Sequence, residues 1–417
     1  MTCWSTIRSL NRRRVRTSLR SLLLAAGMYG AMQTVTFIHT SDLQIGMTRK
    51  FLSPEAQSRF DDARLRSITR LGELAQTHGA AFIVVAGDVF EHNALEPATL
   101  GRALEALRQV PVPVYLLPGN HDPLVADSVF VRARDLANVT VLDSSEPVEV
   151  CSGVEIVAAP LLAKQASEDL CARAIGGLEP TERIRILVGH GQVEGYGAED
   201  TSALIDLHRL EEALDTGVVD YVALGDTHST MALGDSGRVW FSGSPETTDF
   251  HDRTQGGGEV DSGNALVVTV RKQGFNAQVE LSKKPVGVWS FEALSWEVAD
   301  ADDVERIVDQ LAEYPNKDRT VIKYSITGTL GVAAMARLET ALAELEPVFA
   351  ALYPRQRLMQ LHLDPSTDEL ENLPLTGYAR AAMRELVVAA SGEGSAQAAD
   401  PVARDAVNLL FRLAQKV

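Results

Sequence analysis

The chain has 417 residues, 45% of them apolar, and a formal net charge of −17. That length and apolar content suit two or three domains with sizeable cores, and the negative balance excludes a protein that coats nucleic acid non-specifically, because such binding needs Lys and Arg to displace counterions from phosphate. The three cysteines, Cys3, Cys151 and Cys171, are odd in number and form no C-x-x-C pair, which excludes a disulfide framework and a zinc knuckle and fits a reducing, cytoplasmic setting.

Residues 1–33 are a basic and apolar extension. Arg8, Arg12, Arg13, Arg14, Arg16 and Arg20 precede an apolar stretch ending at Met32, and no acid occurs before Asp42. The stretch has two glycines and no clear A-x-A cleavage site, and it runs into a strand. It reads first as a start codon placed too early, with Met32 opening the protein, and second as a targeting segment. No later segment reaches the ~20 apolar residues of a spanning helix, so no membrane contact is expected.

From residue 35 to about 270, short β-branched runs alternate with amphipathic stretches, the pattern of a layered α/β domain. Strands are expected at 35–38, 81–86, 114–117, 154–157, 184–188, 221–224 and 265–270. A helix is expected at 60–75, where Leu65, Ile68, Leu71 and Leu74 fall at helical spacing. The glycine-rich run 255–263 reads as a plain turn, because no helix follows to present its N-terminus to a phosphate. From about residue 285 a small α+β unit follows: strand 289–298, helix 302–313, strand 320–326, helix 331–352, strand 358–363. Two helical stretches, 378–390 and 402–417, flank a small-residue linker at 390–398. The expected division is therefore 1–33, 34–284, 285–365 and 366–417.

Five polar clusters follow apolar strands: His39-Thr-Ser-Asp42-Leu-Gln44-Ile-Gly46, Gly87-Asp88-Val-Phe-Glu-His92-Asn93, Gly119-Asn120-His121-Asp122, Gly189-His190-Gly191 and Gly225-Asp226-Thr-His228. Glycine lets the backbone turn sharply at a strand end, so these segments can bring carboxylates, an amide oxygen and imidazoles to one point. Such mixed oxygen and nitrogen donors suit two divalent cations of the manganese or magnesium type. Any single cluster has a plainer explanation, an Asp as helix N-cap or a Gly-Asp turn. The ordered recurrence of all five favours the metal reading.

These motifs resemble the calcineurin-like metallophosphoesterase superfamily. The words Gly87-Asp-Val-Phe90, Pro118-Gly-Asn-His-Asp122, Asp220-Tyr-Val-Ala-Leu-Gly225 and Ser242-Gly-Ser-Pro245 are similar to SbcD-type DNA repair exonucleases, near their YhaO-like branch, over about residues 34–365. The resemblance implies a four-layer αββα sandwich with a small α+β capping domain and a helical C-terminal segment. It implies that Asp42 binds one metal and Asp88 bridges two, with Asn120 and His190 on the second metal and His228 on the first. His121 would be catalytic, its ring oriented by Asp122. Gln44 and Asp226 depart from the family, standing where histidines are usual. Both offer oxygen, and three carboxylates against two divalent cations leave a charge of +1 where two would leave +2, which favours manganese or magnesium over zinc.

The resemblance further implies a DNA substrate, an SbcC-like coiled-coil ATPase docking on the C-terminal helices, and a homodimer formed through the phosphoesterase domain. Val402, Val407, Leu409, Leu410 and Leu413 give the last helix a broad apolar face that suits either the partner or the protein's own core. Lys50, Arg59, Arg64, Arg66 and Arg70 are either a solvated helix face or contacts to a DNA backbone. His92 reads first as a bland histidine outside the metal set and second, by its nearness, as a support to the site, and His39 is expected to pack at its strand end. Two other functions stay open: a phosphomonoesterase or nucleotidase using the same metals, and a scaffold subunit silenced by Gln44 and Asp226.

Overall fold

The computed structural model describes residues 32–196, 203–363, 375–391 and 400–414. The extension before Met32, most of the linker, and residues 415–417 lie outside the described residues. In chain order the strands are β1 (Gln33–Thr40), β2 (Ile83–Val85), β3 (Val114–Leu116), β4 (Val139–Val141), β5 (Val148–Cys151), β6 (Val154–Ala158), β7 (Ile184–His190), β8 (Tyr221–Gly225), β9 (Met231–Leu233), β10 (Val239–Phe241), β11 (His251–Asp252), β12 (Gly257–Gly258), β13 (Asn264–Gln273), β14 (Asn276–Pro285), β15 (Ser290–Val298), β16 (Thr320–Leu330), β17 (Ala351–Pro354) and β18 (Gln360–Leu363). The helices are α1 (Pro54–His78), α2 (Pro97–Arg108), α3 (Phe130–Ala133), α4 (Leu170–Ile175), α5 (Leu207–Asp215), α6 (Ala301–Glu313), α7 (Val332–Leu345), α8 (Tyr378–Ser391) and α9 (Pro401–Ala414).

The chain divides into two compact units whose segments alternate along the sequence. Among the described residues the first takes 32–47, 63–196, 203–246 and 261–287; the second takes 48–62, 247–260, 288–363, 375–391 and 400–414. The first unit holds two six-stranded sheets, ordered β14-β13-β1-β2-β3-β4 and β5-β6-β7-β8-β10-β9. Within them β1 to β4 are mutually parallel, as are β6, β7, β8 and β10. Parallel strands buried on both faces read as continuous apolar runs, which is why 81–86 and 184–188 stand out in the sequence. Phe37, Val84 and Leu117 from one sheet meet Ile156, Ile186 and Ala223 from the other in a shared core. The outer face of the first sheet packs residues of α1, α2 and α3, and that of the second packs α4 and α5. The expected αββα layering is what the structure has, and parallelism brings several strand C-termini to one edge.

Differences from the sequence reading have local causes. The strand β14 was not expected, because polar, exposed residues alternate along this sheet edge, leaving Ala277, Val279 and Leu281 to face the core. In the second unit the helix expected over 331–352 stops at Leu345. Pro347 cannot continue an α-helix, and the chain passes through a 3-10 turn into β17 instead. The glycine-rich run contributes β12, which pairs antiparallel with β11. That unit's sheet runs β12-β11-β15-β16-β17, with β18 also on β16, and its core includes Ile326 and Leu338 together with Val407 and Phe411 of the last helix.

One ion pair joins the two sheets of the first unit. Lys272 on β13 is fully buried, and its Nζ donates to Asp220 Oδ2 at 2.8 Å and to the Arg183 carbonyl at 2.9 Å. The same Asp220 oxygen accepts the Arg185 N–H at 2.8 Å. Removing one member of a buried pair strands the other charge. We expect Lys272→Met to lower unfolding free energy by about 3–5 kcal/mol in denaturant titrations at neutral pH, and Lys272→Met/Asp220→Asn to recover part of that loss.

His39 is buried at the end of β1, accepting from Tyr221 Oη at Nδ1 (3.0 Å) and donating from Nε2 to the Leu224 carbonyl (3.2 Å). Burial pushes its pKa down from 6.5 to about 3, against the pull of the Leu224 carbonyl. A depressed folded-state pKa contributes stability that is complete above the unfolded value and lost as pH falls toward the folded one. His39→Gln should therefore flatten acid unfolding between pH 6.5 and 3, removing up to ~1.4 kcal/mol per pH unit from the wild-type slope, as read from stability against pH.

Candidate active site

Asp42 and Gln44 follow β1, Asp88 follows β2, Asn120 follows β3, His190 closes β7 and Asp226 follows β8. Asp42, Asp88 and His190 each offer a ligand atom within 4.8 Å of the others, and all are buried. Around His190 Nε2 lie Asn120 Oδ1 at 2.8 Å, Asp88 Oδ2 at 3.4 Å and Asp226 Oδ1 at 3.8 Å. Around His228 Nε2 lie Gln44 Nε2 at 3.3 Å and Asp42 Oδ1 at 3.8 Å. All seven residues nominated as ligands from the sequence thus gather in one place.

The backbone there is strained. Among the described residues five non-glycine positions have left-handed φ, and four are Asp42 (53°), Gln44 (42°), Asp88 (52°) and Asp226 (103°). Such conformations cost of order 1–3 kcal/mol each and persist only where surrounding bonds impose them. Here the loop after β1 zips onto the loop after β2: Asp42 N–H donates to the Gly87 carbonyl (3.0 Å), Gln44 N–H to that of Asp88 (2.9 Å) and Ile45 N–H to that of Val89 (3.0 Å). Gly119 is required for the same crowding, since a Cβ on it would stand 2.1 Å from Asp88 Oδ1.

The polar atoms are arranged for a cation. Nδ1 of His190 lies 2.8 Å from the Ala86 carbonyl, an acceptor only, so Nδ1 carries the proton and the neutral ring presents a lone pair at Nε2. That lone pair faces the Asp88 carboxylate, also an acceptor, whichever way the Asn120 amide points. Burial disfavours charging His190, yet Asp88, Asp42 and Asp226 outweigh it and raise its pKa well above the ordinary value. The Asp42 carboxyl is raised by burial, while the Asp88 carboxyl is lowered, with burial outweighed by His190 and the His121 N–H. Asp42 Oδ1 and Gln44 Oε1 are buried without a hydrogen-bond partner, a costly state for polar atoms in the absence of a cation. These donors fit divalent metal, and the oxygen-rich set is of the hard type.

Two expectations are corrected. Asp122 does not orient the ring of His121. Its two oxygens accept the Gly119 N–H (2.8 Å) and the Phe90 N–H (2.9 Å), tying the loops after β3 and β2 together, while His121 Nδ1 lies 3.0 Å from the Glu91 carbonyl. Burial and the neighbouring Asp88 push Asp122 up to about 7. Among the basic residues weighed as DNA contacts, Arg64 is buried and donates to the Leu43 carbonyl at 2.7 Å, and Arg70 pairs with the buried Glu246 at 3.3 Å. Both hold the protein together. His92 is exposed.

Three supporting residues were not singled out by sequence. Ser41 donates to Asp42 Oδ2 at 2.5 Å, Ser244 donates to the Asp42 carbonyl at 2.8 Å, and the Glu91 carbonyl holds His121. Ser244 sits in the word Ser242-Gly-Ser-Pro245, the only signal that could have found it. Beside the ligands opens a cavity of about 450 Å³ whose lining includes Asn120, His190, Asp226, Leu161, Lys164 and Gln192.

Residues 35–230 match the family model described as calcineurin-like phosphoesterase. Among solved structures, the protein TT1561 of Thermus thermophilus is 12% identical, with 61% of this chain and 100% of that one covered and a TM-score of 0.33. A dimetal phosphatase from Danio rerio, LOC 393393, is 9% identical, with 60% and 99% covered and a TM-score of 0.36. The match to the calcineurin-like phosphoesterase model spans the five strand-end clusters that meet around Asp88, and with their donor set it makes the protein a hydrolase acting on ester bonds.

Proposed function

We propose that the protein is a metal-dependent phosphodiesterase acting on DNA, holding two divalent cations of the manganese or magnesium type. The observation that carries the metal chemistry is the ring of acceptors around His190 Nε2 together with the orphaned Asp42 Oδ1 and Gln44 Oε1. In this reading Asp42, Gln44 and His228 would hold one cation and Asn120, His190 and Asp226 the other, with Asp88 available to both. The cations, when bound, neutralise the phosphate and lower the pKa of an attacking water. His121, its Nδ1 held 3.0 Å from the Glu91 carbonyl, is in this reading the group that acts through Nε2 on a phosphoryl or departing oxygen.

The DNA substrate is supported by the motif words shared with SbcD-type nucleases, as is action in DNA repair. An SbcC-like ATPase partner is supported by the last helices, where Val407 and Phe411 face the core while Val402, Leu409 and Leu413 stay exposed. Pairing of phosphoesterase domains into a homodimer belongs to the same reading. The engagement of Arg64 and Arg70 inside the protein favours the second reading, a phosphomonoesterase on small molecules. Among the described residues no helix is long and apolar enough to cross a membrane.

Purified protein with manganese, offered duplex DNA, single-stranded DNA and a chromogenic monoester, should cleave DNA, and Asp88→Ala should abolish it. Cleavage of the monoester alone would transfer the assignment to the second reading. His121→Gln should lower kcat by about 10²–10⁴-fold with metal content by elemental analysis unchanged. If Gln44 and Asp226 set the preference for hard metals, Gln44→His/Asp226→His should raise zinc-supported activity relative to manganese, and an unchanged ratio in metal titrations would count against that role.

A further inference from the structure

Strand β6 lies between β5 and β7, beside the strand that ends in His190, yet it closes on Ala158, is followed by Ala159 and Pro160, and brings no metal-binding side chain to the site. The segment that follows is nonetheless fixed to the active-site loops. Ala159 N–H donates to the Val188 carbonyl (2.9 Å), Leu161 N–H to the Pro118 carbonyl (3.3 Å), and the Leu161 carbonyl accepts the Leu124 N–H (2.9 Å). Pro118 opens the loop that carries Asn120, so Leu161 is pinned beside the metal site. Three residues later, Lys164 lines the same cavity as Asn120, His190 and Asp226, and it is the only Lys or Arg among the described lining residues.

Charge decides what an exposed lysine does there. Asp226 shares the cavity wall, but in the reading above its charge is taken up by a cation, so a substrate carrying more negative charge than one ester phosphate brings the excess to the only Lys or Arg among the described lining residues. An ammonium there attracts that charge and offers three donors to phosphate oxygens. We infer that Lys164 is a substrate-binding residue that takes a phosphate oxygen beyond the anionic charge held at the metals. That oxygen belongs either to the adjoining phosphate of a polynucleotide or to the second ionised position of a phosphomonoester. The inference rests on the phosphoester-hydrolase reading and adds the residue that selects for substrate charge.

Lys164→Gln and Lys164→Arg are compared with wild type on an oligonucleotide, on p-nitrophenyl phosphate and on bis-p-nitrophenyl phosphate, a diester with a single negative charge. Lys164→Gln should raise KM about tenfold more for a multiply charged substrate than for the singly charged diester, with Lys164→Arg restoring it. A rise for the oligonucleotide identifies the adjoining phosphate, and a rise for the monoester identifies the second ionisation. Equal changes on all three substrates, or none, overturn the assignment. A second measurement does not depend on turnover. Anisotropy titrations with a phosphorothioate oligonucleotide across a salt series should lose about 0.7 from the log–log slope in Lys164→Gln, one single-strand phosphate contact. If wild type turns over none of the substrates, the hydrolase reading fails. An unchanged slope rules out the adjoining phosphate, and an unchanged slope together with an unchanged monoester KM overturns the role of Lys164.

Discussion

Crowding of carboxylates at joined strand ends is the constraint on which the first unit depends. Asp42, Asp88 and Asp226 converge on His190, and the first two are buried. Like charges out of water repel strongly, so the arrangement needs positive charge to stand. A ring protonated at both nitrogens supplies one such charge, which is why His190 is raised so far despite its burial. Divalent cations would supply four, and would also satisfy Asp42 Oδ1 and Gln44 Oε1.

The neighbouring structure can be understood as bracing for that convergence. Left-handed backbone at four of the clustered residues turns their side chains over the sheet edge, and the ladder between the loops after β1 and β2 holds the turn. Asp122 joins the loops after β2 and β3 in the same manner. Hydroxyls bind across the two sheets: Ser41 meets Ser242 Oγ at 2.8 Å, and Ser244 reaches the Asp42 carbonyl. Lys272 and Asp220 add a buried pair between β13 and the start of β8. Each contact costs desolvation or strain, and together they keep groups from both sheets in contact-range geometry.

Chemistry and substrate choice are separate questions in such a site. Ester hydrolysis follows from the donor set and the domain it belongs to, because hard oxygen and imidazole ligands position divalent cations whatever the leaving group. The substrate is selected by what surrounds the ligands. Here the described lining of the cavity holds one lysine and one aspartate among mostly neutral residues. Arginines that look available on a helix in the sequence are spent on the Leu43 carbonyl and on Glu246.

The chemically committed parts of the molecule were legible in the sequence. Buried parallel strands are apolar without alternation, so their positions and the polar words after them could be read directly, and with them all seven residues that gather at the site. Helix α1 announced itself through Leu65, Ile68, Leu71 and Leu74. What the tertiary structure alone decided were relations between distant segments. The partner of His121 is a backbone carbonyl at Glu91, and no side-chain pattern encodes a carbonyl's direction. Arg64 and Arg70 look like any exposed basic residues until the fold brings Leu43 and Glu246 to them. The edge strand β14 shows too little apolar surface to be seen, and residues 48–62 and 247–260 join the second unit only through contacts made after folding. Local periodicity records which face of an element is buried; it carries no information about which remote group that face will meet.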